Sequence, residues 1–172
     1  RVCERCMNLD PELRCSMDYV VAELSRVLCD VDGVHPLVER DRMELWSLHT
    51  SLGAILLREL TKSSEDYVQA EVHLDAALEL AAEIEGEESW LFATSLKNLA
   101  TSFHVQRKYD EDKSLSERAI AIGEKTLGAD HPDIAEMLNN LANSLEGQGK
   151  YDEAKPLLER AIAIGEKTLG AE

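Results

Sequence analysis

The sequence predicts an all-α protein, built of stacked antiparallel helix pairs with an extra helical segment ahead of them. Three observations predict it. Glu117–Ala129, ERAIAIGEKTLGA, returns letter for letter at Glu159–Ala171, an offset of 42 residues. A fixed period of that size marks stacked copies of one supersecondary unit, each of which buries its apolar face only against a neighbour. Within the copies, apolar residues recur at spacings of three and four, which is one face of a helix. The chain is 44% hydrophobic but only 5% aromatic, and its 4 prolines and 9 glycines are too few for a long linker. That is the composition of packed helices with charged outer faces.

Residues 1–33 stand outside the period. Leu13, Met17, Val20, Val21, Leu24, Val27, Leu28 and Val31 form one apolar helical stripe, ended by Asp32-Gly33. Residues 34–172 hold the repeats, at about 34–88, 89–130 and 131–172. In the first copy Tyr67, Ala70, Leu74, Ala77 and Gly86 precede Tyr109, Asp112, Ser116, Ala119 and Gly128 by 42 residues. Its first helix is out of step, with about five extra residues around Leu60–Glu65, as a capping unit allows. The second and third copies share Asn-Leu-Ala (Asn98–Ala100, Asn140–Ala142) and Lys-Tyr-Asp-Glu (Lys108–Glu111, Lys150–Glu153) before the shared block. In the last copy Ile134, Leu138, Leu141 and Leu145 line one helix, and Gly147-Gln148-Gly149 breaks it. A second helix carries Ala154, Leu157, Leu158, Ala161, Ile162 and Ile164 to Leu169, with Pro156 near its start. Gly128 and Gly170 stop the second helices, and Asp130-His131-Pro132 starts the next, with proline at the first helical position. Ala119 and Ala161 are expected to be closely buried where helices approach over small residues.

Formal net charge is −16, from 34 acids against 18 bases. Nucleic acid and anionic membranes need clustered Lys and Arg, so neither is an expected partner. A basic or neutral protein or peptide is. No run reaches the ~18 apolar residues of a membrane span, and the start RVCERC has no apolar signal core. The start at Arg1 and the stop at a repeat boundary lead us to expect a piece of a longer protein in which further repeats follow.

The motifs Leu-Asn-Asn-Leu-Ala (Leu138–Ala142), Gly-Lys-Tyr-Asp-Glu-Ala (Gly149–Ala154) and Gly-Ala-Asp-His-Pro-Asp (Gly128–Asp133) resemble the tetratricopeptide repeat (TPR). The likeness is to the 42-residue variety of kinesin light chains and nephrocystin-like proteins, and it runs from about Pro36 to Glu172. The resemblance implies a right-handed solenoid whose first helices line a concave groove that holds an extended or helical peptide. One position departs from it. Asp112 stands where the other copies have Ala70 and Ala154, and Ser116 where they have Leu74 and Leu158. A buried, unpaired carboxylate costs several kcal/mol. We therefore expect a half-solvated, tolerated defect, or a pairing with Lys97, Arg107 or Lys108.

Cys6-Met7-Asn8-Leu9-Asp10-Pro11-Glu12-Leu13-Arg14, followed by the Val-Val-x-x-Leu of Val20–Leu24, resembles the last segment of protein kinase domains of the tyrosine-kinase-like and receptor-like groups. Arg14 matches that family's turn arginine, and Cys15 stands where the family has proline. A chance amphipathic helix is the rival reading. The sequence has no glycine-rich phosphate loop, no His-Arg-Asp with a following Asn and no Asp-Phe-Gly. Phosphoryl transfer needs positioned Mg²⁺ ligands and a phosphate cover. This chain is therefore expected not to be an enzyme, whatever the parent does.

Other sites read as ordinary structure. Cys3 and Cys6 form C-x-x-C with no second such pair, and with Cys15 and Cys29 they fit zinc, a disulfide or plain packing, of which packing is the reading taken. The cysteines point to a reducing, cytoplasmic setting. His35, His49, His73, His104 and His131 are scattered, with His104 read as a surface residue. Glu124 and Glu166 adjoin Lys125 and Lys167 as a charged outer face. No catalytic residue, metal site or cofactor is expected. If Leu96, Leu99 and Phe103 face the core, then Lys97, Thr101 and His104 face the groove, as do Asn139, Asn143 and Glu146 of the next copy. Such side chains suit hydrogen bonding to a peptide backbone, while Asn98 and Asn140 could serve packing instead. The function expected is protein–protein interaction. Kinase activity carried by the parent chain and a ligand-free spacer or self-association module are the alternatives. ATP calorimetry tests the former, and peptide arrays with light scattering test the latter.

Overall fold

The structure is a computed structural model that describes residues 39–59 and 64–169. The kinase-like segment with Arg14, the four cysteines, the break at Gly33, His35, the inserted positions 60–63 and the stop at Gly170 lie outside the described residues. Six α-helices and no strand occur among the described residues. They are α1 (Glu39–Glu59), α2 (Ser64–Glu85), α3 (Trp90–Val105), α4 (Tyr109–Leu127), α5 (Pro132–Gly147) and α6 (Tyr151–Leu169).

Local chemistry sets the boundaries. Ser89 caps α3, its Oγ accepting from the backbone N–H of Phe92 at 3.1 Å. His131 caps α5 through Nδ1, with Pro132 in the first turn. After the second helices the chain turns at Gly86 (φ +88°) and Gly128 (φ +94°), equivalent positions in left-handed backbone that glycine adopts without strain. After the first helices the equivalent turn residues are Arg107 (φ +61°) and Gly149 (φ +76°). The third copy has the residue the turn favours and the second does not.

The helices pack as α1/α2, α3/α4 and α5/α6, and consecutive pairs stack through α2 on α3 and α4 on α5. Among the described residues α1 also touches α3 and α3 touches α5, whereas no second helix touches another second helix. The first helices therefore converge and line the inner side of the stack. The indole Nε1 of Trp46 donates to Ser95 Oγ at 2.8 Å and ties α1 to α3. Close approaches run over small residues. A Cβ on Gly53 would stand 2.5 Å from Leu74 Cγ, and one on Gly123 would stand 2.7 Å from Ile134 Cδ1.

The exact repeat makes an internal control. Ile120 of α4 is 8% exposed, and its copy Ile162 of α6 is 61% exposed. A Cβ on Gly165, the copy of Gly123, would meet nothing within 4 Å. Ala119 is buried as expected, but Ala161 is only half-buried, and Ile162 is not part of the core. The reason is geometric: α5 covers the outer face of α4, and no described helix covers that of α6. The charged face repeats as well. Lys125 pairs with Glu88, and its copy Lys167 pairs with Asp130 at 2.9 Å.

His49 and His73 face each other across α1 and α2, Nδ1 to Nδ1 at 3.0 Å. The ring centroids are 5.1 Å apart, so the nitrogens point at each other and one N–H donates to the other's lone pair. Burial holds both imidazoles below the ordinary histidine range, with the proximity of His73 adding to the effect at His49.

Two outcomes follow from this packing. Ile120→Ala should cost about 2–4 kcal/mol by cavity formation, while Ile162→Ala should stay within about 0.5 kcal/mol; paired urea melts measure both, and equal costs would refute the covering role of α5. The unfolded chain protonates His49 and His73 in the ordinary histidine range and the folded chain resists. Their contribution is thus full above that range and is lost as pH falls through it. Melting temperature should drop between about pH 7.5 and 5.5, and the drop should shrink in His73→Gln.

Candidate functional site

The inner side carries two adjoining hollows that share Thr101. Between α1 and α3 lies an open, mainly apolar one of about 310 Å³, lined by Ala54, Leu57, Leu74, Asn98, Thr101 and Val105. Between α3 and α5, floored by α4, lies a smaller polar cleft of about 60 Å³. Lys97, Ala100, Thr101 and His104 of α3, Asp112 and Ser116 of α4, and Asn140 and Asn143 of α5 line it.

Asp112 corrects the expectation of a half-solvated defect. It is 2% exposed, and it pairs with none of Lys97, Arg107 or Lys108. Ser116 Oγ donates to Asp112 Oδ1 at 2.9 Å, and His104 Nδ1 lies 3.1 Å from Oδ2. A carboxylate only accepts, so Nδ1 of His104 carries the proton in this bond. The edge of Tyr109 packs against His104 at 5.7 Å between centroids. Tyr109 in turn sits where a Cβ on Gly147 would stand 2.6 Å from its Cζ, so α4 and α5 close tightly over this corner. Two of the three cationic candidates are engaged elsewhere: Lys97 with Glu136 at 2.9 Å and Lys108 with Glu71 at 3.0 Å.

Ser116, Asp112 and His104 have the residue types of a hydrolytic triad in a different order. The serine hydroxyl bonds the carboxylate and not the imidazole, so the serine–histidine bond of a triad is not formed. The geometry is that of a held histidine, not of an activated nucleophile. Among the described residues no group of three or more metal-ligating side chains occurs, and no helix is long and apolar enough to cross a membrane.

Of the residues proposed from sequence, Lys97, Thr101, His104 and Asn143 line the cleft. Asn139 and Glu146 are exposed on α5 but do not line it. Asn140, Asp112 and Ser116 were not assigned to the groove. The signal for the last two was present, since both depart from the repeat, one helical turn apart, and both are polar. Thr101 Oγ1 donates to Lys97 O at 2.9 Å. Among the described residues the amides of Asn139, Asn140 and Asn143 make no hydrogen bond to the protein.

Asp112→Ala is expected to destabilise, because it strips Ser116 Oγ and His104 Nδ1 of their partner. A loss of about 1–3 kcal/mol is the scale for such groups, read by chemical denaturation. A gain would show that the carboxylate is strained in place.

The tetratricopeptide repeat family model matches residues 91–167. No curated protein matches the chain. Solved structures do. BtubC (BKLC) from P. vanneervenii is 23% identical with a TM-score of 0.63, over 73% of this chain and 48% of that one. The Podosopora anserina putative kinesin light chain with nearly identical TPR-like repeats is 22% identical with a TM-score of 0.60, over 83% of this chain and 63% of that one. A variant of the latter is 23% identical with a TM-score of 0.60, over 78% and 59%. The chain thus spans from about half to under two thirds of the length of these structures. Residues 91–167 thus match the tetratricopeptide repeat model, and the described helices adopt the helical solenoid fold of these structures.

Proposed function

We propose that this chain is a protein-interaction scaffold whose inner face, lined by α1, α3 and α5, receives a peptide segment of a basic or neutral protein partner. The observation that carries the reading is the row of unpaired amides, Asn139, Asn140 and Asn143, on a helix held rigidly by its buried face. An amide offers both donor and acceptor to a peptide backbone, and here no internal partner competes for it. The adjoining apolar hollow gives a side chain of that peptide a place to leave water. The repeats are taken as about 34–88, 89–130 and 131–172. On the resemblance of residues 1–33, they follow the end of a kinase-type domain in a cytoplasmic parent protein. In that setting the repeats recruit substrates or regulators and the chemistry belongs to the parent.

A second reading, self-association, is favoured by one observation: α6 leaves Ile162 and Tyr151 exposed at 61% and 66%. Light scattering that gives a dimer mass, lost in Ile162→Glu, would support it.

The test of the main reading uses peptides selected on this chain from a displayed library. Asn139→Ala with Asn143→Ala should weaken their binding about tenfold or more. The melt should be unchanged, since both residues lie on a solvated face. Equal affinities would move the binding site off the inner face.

A further inference from the structure

We propose that the cleft between α3, α4 and α5 is a pocket for one basic side chain, a lysine ammonium or arginine guanidinium, presented by the partner peptide. The proposal rests on the inner-face reading above and adds what that face selects.

The cleft holds a carboxylate and a hydroxyl because α4 breaks the repeat at two positions one helical turn apart. In α2 the equivalents are Ala70 and Leu74, 0% and 1% exposed, and the corresponding hollow between α1 and α3, with Leu74 in its lining, is mainly apolar. In α6 they are Ala154 and Leu158. In α4 they are Asp112 and Ser116. Serine in place of leucine puts a hydroxyl in the lining, and aspartate in place of alanine puts a carboxylate beside it. Burial of that carboxylate to 2% exposure opposes folding unless it is paired. Its bonds to Ser116 and His104 use two of about four acceptor positions. Asp112 is part of the cleft's lining.

The hydrogen-bond directions around the cleft decide what it takes. Ser116 spends its proton on Asp112, and Thr101 spends its proton on the carbonyl of Lys97. Both hydroxyl oxygens are left as acceptors. His104 spends its Nδ1 proton on Asp112, and an uncharged imidazole of that tautomer presents Nε2 as an acceptor. Asn140 and Asn143 add amides at the rim, each of which can turn its oxygen or its NH₂ inward. The one lysine in the lining, Lys97, is bound to Glu136. A set dominated by acceptors fits a group that has only donors, and ammonium and guanidinium are the side-chain groups of that kind. About 60 Å³ holds such a head group, with its methylene stem lying along Ala100. The net charge of −16 steers a basic peptide toward the chain.

The experiment titrates the full 172-residue chain with three blocked amino acids, N-acetyl-N′-methylamides of lysine, norleucine and glutamate, followed by backbone amide NMR. The lysine probe should shift the amides of Ala100, Ser116 and Asn143 and bind about tenfold tighter than norleucine. Asp112→Asn, which keeps the shape, should reduce that preference to about twofold or less. Asp112→Ala with Ser116→Leu, which gives α4 the residues of α2 and α6, should abolish it while the protein still melts cooperatively. Equal binding of lysine and norleucine, tighter binding of glutamate, or an unchanged preference in Asp112→Asn overturns the pocket. The selected peptides separate the two ideas. If they depend on Asn139 and Asn143 but carry no excess of Lys or Arg, the groove stands and the basic pocket is overturned. If the lysine probe binds the cleft while no selected peptide depends on those asparagines, the pocket stands and the groove reading falls.

Discussion

Everything in this structure depends on the burial of the outer face of each second helix by the first helix of the next pair. A helix pair alone covers one side of each of its members and leaves another open, so the unit of stability is the stack. The repeated block isolates this contact, because the same thirteen letters occur once with a described helix packed over them and once with none among the described residues. With α5 in place, Ile120 and Gly123 are buried, and the backbone comes so near Ile134 that a methyl group would not fit. Without such a helix, Ile162 faces solvent and Gly165 has open space around it. Composition, helix propensity and local pattern are identical in the two places. Only the neighbour differs.

That constraint also makes the inner face usable. Because α1, α3 and α5 are each held from behind by their own partner helices, the side chains on their inner side are free of packing duty yet fixed in position. Rigid presentation lowers the entropy that a bound peptide would otherwise cost. Thr101, Asn140 and Asn143 sit on such helices, and the two hollows between successive first helices divide the face into an apolar part and a polar part. Surface charge holds the turns in register from outside, through pairs such as Lys167 with Asp130, which are exposed and contribute little individually.

Against this regular background α4 spends stability at one corner. An alanine and a leucine would leave it apolar, as they do in α2. The protein instead buries Asp112, satisfies it with Ser116 and His104, and seats Tyr109 against Gly147 to complete the wall. Each oxygen of that carboxylate has one hydrogen-bond partner, and a position that breaks the local rule in this way is where a functional site is looked for first.

The helices, their boundaries and most of the core were legible in the sequence. The 42-residue period and the 3.6-residue spacing are local properties, and local hydrogen bonding and glycine turns obey them. Leu96, Leu99, Ile134, Leu138, Leu141 and Leu145 fell where the pattern put them, in the core. Lys97, Thr101, His104 and Asn143 were assigned to the inner face by the same periodicity. Asp112 could be recognised as an anomaly, but not its partner. His104 lies eight residues before it, on the other helix of the pair, and the turn at Arg107 decides which of the nearby cations and imidazoles reaches it. The burial of Ile120 against the exposure of Ile162 was likewise beyond the sequence, since identical letters carry identical local information. The tertiary structure decided it, because burial is a relation between a side chain and whatever helix comes to lie over it.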